Sequence, residues 1–138
     1  MDEILRKYII LIIFLTASAA YDLLFMEIPM VLVFFAFFGW IIADFSFKAL
    51  GVSSAFSLAV YFLSELTAHL TKGHSLGRGD IYIIFISGLF LDPDAYLNAV
   101  FLSCCLAAFM AAFVRIFLKT GEFPMALAFL FGTIPVLW

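Results

Sequence analysis

Two aspartates stand out because each interrupts a stretch that is otherwise apolar. Asp22 lies near the end of the run Tyr8–Met26, and Asp80 directly precedes the run Ile81–Leu91. An ionisable side chain at membrane depth costs roughly 2.5–3.5 kcal/mol on insertion scales, so such groups usually face a wet cavity or a partner. Two carboxylates brought together cannot both ionise easily, and one then keeps its proton near neutral pH. The ionised member can take a proton from water as general base. The protonated member can polarise a carbonyl and then serve the leaving amine as general acid. That pairing hydrolyses a peptide bond without a metal ion, a serine or a cysteine. Taken singly, each aspartate also has a plainer reading, as a helix cap or as a group snorkelling to the interface. Asp44, Asp92 and Asp94 sit at the ends of apolar runs, and for them the plainer reading is preferred.

The elements that must position these groups follow from composition. Of 138 residues, 67% are hydrophobic and 12% charged, with 19 phenylalanines and a mean hydropathy of +1.22. A globule this small has too little interior to hide that much apolar surface, and a disordered chain has the opposite composition. The runs are continuous rather than alternating, which specifies membrane helices and not a barrel. A net charge of −3 with seven scattered Lys and Arg residues leaves no basic stripe, so nucleic acid is not expected as a partner. The fold class expected is all-α: a polytopic membrane bundle of about six transmembrane helices forming one domain over residues 1–138. The candidate spans are Tyr8–Met26, Ile28–Phe45, Ala49–Leu70, Ile81–Leu91, Tyr96–Leu118 and Phe123–Trp138.

The fourth span is the informative one. Its clean apolar part makes only ~16 Å of helix, about half of a ~30 Å hydrocarbon core. It must therefore borrow from Lys72–Asp80, placing Gly77-Arg78-Gly79-Asp80 at or just below the membrane surface, or sit in locally thin bilayer. With six alternating spans, the end of the first and the starts of the fourth and sixth lie on one side. Asp22, Asp80 and Phe123-Pro124 are then expected to converge there. One span more or fewer between residues 22 and 80 would separate them. Glycines 77 and 79 are expected to let an extended peptide backbone approach Asp80 closely.

These residues carry a resemblance. Gly77-Arg78-Gly79-Asp80 resembles the GxGD signature of membrane-embedded aspartic proteases, and among them the chain most resembles the type IV prepilin peptidases. Asp22 followed by Ile28-Pro29 is similar to that family's first aspartate and Ile-Pro pair, and Phe123-Pro124 through Gly132 to its late proline-containing segment. The chain departs from the family's habits at Met30, at Tyr82 and in the absence of a basic residue between Leu23 and Glu27. The resemblance implies an aspartic endopeptidase that cleaves prepilin-like precursors beside a basic leader, just before their hydrophobic helix. It implies Asp22 and Asp80 as the catalytic pair, with Gly77, Gly79, Pro29 and Pro124 shaping the site, and no metal or cofactor. It places the multi-pass chain in the lipid bilayer of the cytoplasmic (inner) membrane, with the active site facing the cytoplasm. The cysteine-containing region associated with pilin N-methylation has no counterpart here, so methyltransferase activity is not expected. Oligomeric state is left open.

Other readings stand beside this one. Tyr21-Asp22, the GxGD and Pro124 with Ala126-Leu127 are also similar to motifs of presenilin and signal peptide peptidase, whose aspartates occupy neighbouring helices. Glu65 and His69 share one face of the third span and, with His74 or Glu27, could hold a metal; a simple Glu–His hydrogen bond is the preferred alternative. A small transporter or assembly subunit using the acids as a proton relay is the non-enzymatic alternative. Ala17-Ser18-Ala19 resembles a signal-peptidase site, but the run resumes at once, as an uncleaved span does. The adjacent Cys104 and Cys105 read as small packing residues.

Overall fold

The computed structural model describes residues 3–25, 27–71, 77–117 and 125–137. Its elements are six α-helices: α1 (Glu3–Phe25), α2 (Met30–Asp44), α3 (Phe47–Thr71), α4 (Arg78–Phe90), α5 (Pro93–Phe117) and α6 (Met125–Thr133). A short 3-10 turn (Ile134–Val136) follows α6. The chain is thus an all-α bundle, as its apolar runs predict. Three segments are long and apolar enough to cross a membrane: Ile4–Phe25, Phe47–Leu70 and Pro93–Phe113. The other helices are shorter.

Local chemistry sets the boundaries. Pro29, with φ −67° and ψ 129°, is the N-cap of α2, a conformation that its ring favours. Ser46 caps α3, its Oγ accepting the Ala49 N–H at 3.4 Å. Pro93 opens α5, where a missing N–H costs nothing. The fourth helix reaches back three residues beyond its apolar run, so that Arg78, Gly79 and Asp80 form its first turn and Gly77 its N-cap.

The helices alternate in direction. Lys7 Nζ lies 3.0 Å from Asp44 Oδ2 and 4.0 Å from Asp92 Oδ1. The start of α1, the end of α2 and the corner between α4 and α5 therefore share one end of the bundle. The end of α1 and the starts of α2, α4 and α6 share the other.

Helix α4 is the axis of the assembly. It packs against α1, α2, α3, α5 and α6, and Ile83, Ile84 and every residue from Ile86 to Phe90 is buried. Of the two ways open to so short a span, it takes the first, borrowing Arg78–Asp80 from the preceding stretch, and neighbouring helices pack around it. Close crossings depend on small residues, as membrane helices commonly do. A Cβ on Gly88 would come within 2.9 Å of both Ser53 and Tyr96, and one on Gly132 within 2.7 Å of the Ser103 backbone nitrogen. Hydroxyls buried at these crossings find backbone carbonyls. Tyr96 donates to Ile84 O at 3.0 Å, Ser103 to Ala99 O at 2.6 Å, and Ser53 to Phe85 O.

One packing expectation is corrected. Cys104 and Cys105 are exposed on the outer surface of α5 rather than packed inside. It is their neighbour Ser103, fully buried, that faces α6. Ala17-Ser18-Ala19 lies within unbroken helix, with Ser18 and Ala19 buried.

Candidate active site

Asp22 belongs to the inward stripe of α1 formed with Leu11, Leu15 and Ser18, residues three or four apart that share one helix face. It is 7% exposed in the assembled bundle. Its Oδ2 accepts the backbone N–H of Ala126 at 3.1 Å. Ala126 is the second residue of α6, so this N–H is one of the donors that a helix leaves unpaired in its first turn. The contact joins residues 104 positions apart and pins the start of α6 to the end of α1.

Asp80 occupies the third position of α4 and is partly buried. Its carboxylate reaches back to accept the N–H of Gly77, the helix N-cap, in the manner of the returning half of a capping box. The two aspartates, 58 positions apart in the chain, lie near enough for their carboxylates to interact electrostatically. Alternating spans thus bring together the groups that the sequence marks out.

The two glycines have distinct surroundings. Gly77 has φ −61° and ψ 147°, ordinary extended backbone that any residue adopts. What its position supplies is proximity: a Cβ there would stand 3.3 Å from Asp80 Oδ2. At Gly79, half-exposed, a neighbour fills the direction that a side chain would take. Its missing side chain is replaced by Ile28, whose Cδ1, Cγ1 and Cβ would lie 3.1, 3.2 and 3.3 Å from a Cβ at 79. Ile28, just before α2, therefore meets Gly79 in the first turn of α4. Pro124, Phe123, Lys72 and His74 lie outside the described residues.

Two contributors were not singled out from sequence. The Ala126 N–H carries no side-chain signature, although the proline-containing segment before it signals a helix start. Ile28 was noted as a motif residue, but its packing partner was not.

The same end of the bundle borders a largely apolar groove of about 480 Å³, lined by residues of α2, α3 and α4 including Phe37, Tyr61, Ile81 and Tyr82. Glu65 and His69 are both exposed on α3. Among the described residues, no three His, Cys, Asp or Glu side chains group as a metal site would require.

The bundle is all-helical, and Asp22 and Asp80 lie within electrostatic reach of each other at one end. Comparison with curated protein sequences and with solved structures gave no match. The model of the type IV leader peptidase family matches residues 9–112, which carry both aspartates, the Ile28-Pro29 pair and the first five helices nearly entire. With most of its length matched, the chain belongs to the type IV leader peptidase family.

Proposed function

We propose that the protein is an aspartic endopeptidase of the membrane surface, with Asp22 and Asp80 as its catalytic pair. The observation that carries this reading is that the two carboxylates, each from a different helix, lie within electrostatic reach of one another at one end of the bundle, in a chain of the leader peptidase family. In the reaction, one ionised carboxylate removes a proton from water as the oxygen attacks the scissile carbonyl carbon. The protonated partner donates its proton toward the carbonyl oxygen, giving a neutral gem-diol. The first carboxyl then protonates the amide nitrogen. The C–N bond breaks, and the second recovers its proton from the collapsing diol. The pair begins and ends the cycle holding one proton, so its ionisation belongs to both residues together.

The substrate proposed is a prepilin-like precursor, cut between a basic leader and its apolar segment. The apolar groove beside Ile81 and Tyr82 is compatible with a substrate whose uncleaved part stays in the membrane. The membrane proposed is the cytoplasmic one, with the aspartate end facing the cytoplasm.

The test is processing of a leader-bearing precursor by protein reconstituted in liposomes. Asp22→Asn and Asp80→Asn should each abolish cleavage while leaving helical content and monodispersity unchanged. Full cleavage by either variant overturns the dyad. Acid-dependent ion or solute flux without any cleavage would establish the transporter reading in its place.

A further inference from the structure

We propose that Ile28 is a positioning residue for Asp80, acting through Gly79; this rests on the dyad reading above. Three observations combine. First, Gly79 immediately precedes Asp80, so a displacement of its backbone moves the aspartate with it. Second, the space that a side chain at 79 would need is occupied by Ile28, by its Cβ and Cγ1 as well as its more mobile Cδ1. Third, Ile28 is itself held. The following Pro29 restricts its backbone to extended conformations, and branching at Cβ stiffens its side chain.

Residue 28 also follows Asp22 by only six positions, in the turn that joins α1 to α2. Ile28 is therefore a stop built on the Asp22 side of the site and set against the Asp80 side. The stop meets the glycine where the first turn of α4 lies against the chain leaving α1. The fit is tight without overlap, so a single methyl group is enough to disturb it. Such a methyl displaces its neighbour by only tenths of an ångström, which bears on catalysis more than on folding. Rates respond steeply to small misplacement of reacting groups, with about a hundredfold lost for ~1 Å.

The experiment exchanges volume across the contact. Gly79→Ala should lower kcat about tenfold with KM little changed, because the reacting groups move while the remainder of the substrate surface stays. Ile28→Ala alone removes the stop and should lower kcat by a smaller factor. The double variant, in which the new methyl enters the space vacated by Ile28, should recover to within about threefold of the parent protein, an interaction that two independent defects do not show. Rates are normalised to folded, monodisperse protein, and Asp80→Asn serves in parallel as the inactive control.

The proposal is overturned if Gly79→Ala cleaves at the parent rate, or if the folded double variant is no faster than Gly79→Ala. If Gly79→Ala does not fold, Ile28→Ala decides the question, and an unchanged kcat overturns the proposal. Should Asp80→Asn itself cleave normally, the dyad reading fails; an inactive Asp80→Asn beside uncoupled 28 and 79 removes the positioning role alone.

Discussion

The two ends of this bundle handle acidic side chains in opposite ways. At one end, Asp44 and Asp92 lie against Lys7, and their side chains are 49% and 78% exposed. At the other end, Asp22 and Asp80 are drawn inward, and the partners described for them are backbone N–H groups of Ala126 and Gly77. A cation neutralises a carboxylate and leaves it inert. An N–H from a helix start orients it and leaves its charge and its proton available. The first arrangement fastens helices together; the second suits a reaction.

The contrast is tested most severely by the same change at both ends. Asp80→Asn or Asp22→Asn should reduce leader cleavage by at least about a thousandfold, since general acid–base work is lost outright. Asp44→Asn or Asp92→Asn should stay within about twofold, as expected of largely exposed ion pairs. Comparable losses at both ends would erase the distinction. A pH–rate profile makes the next test. With one carboxylate needed ionised and the other protonated, cleavage falls on the acid side as the base gains its proton. It falls again on the alkaline side as the acid loses its own. A profile that rises to a plateau without an alkaline limb would remove the general acid.

A smaller effect comes from the helix that supplies Asp22 with its N–H. Gly132→Val drives a side chain into the backbone of Ser103. It should destabilise the bundle by about 1–3 kcal/mol, as overpacking does, seen as a lower melting temperature in detergent. Cleavage should fall with it, because α6 carries the Ala126 N–H. The smallest change is expected from Lys7→Met, which releases Asp44 and Asp92. A loss of about 1 kcal/mol in stability with cleavage retained fits an ion pair near the surface.

The architecture was largely legible in the sequence because lipid imposes a coarse and demanding pattern. Uninterrupted apolar runs must be helices there, since exposed backbone has no partner in hydrocarbon. The same demand made Asp22 and Asp80 conspicuous as exceptions. What could not be read was which atoms would meet. Span order brings the start of the last helix to the side of Asp22, but no side chain indicates that the Ala126 N–H is the group that turns toward it. Gly79 carries no sign of a packing partner, and only the folded chain shows Ile28 on the side where its Cβ would be. Cys104 and Cys105 failed as packing residues because α5 is apolar around much of its circumference, so composition alone could not tell its inner face from its outer one. The tie of Lys7 to Asp44 and Asp92 depends on helix order, which the charge itself does not carry.

Helix α4 has 13 residues, while α3 and α5 have 25 each. At 1.5 Å per residue the central helix is about 20 Å tall and the outer two nearly twice that. Gly88 packs against Ser53 of α3 and Tyr96 of α5, so both of these longer helices continue past the level of Asp80. The proposed dyad is thereby set within the height of α3 and α5 rather than at its limit, and a substrate of that dyad must bring its scissile bond to the same depth.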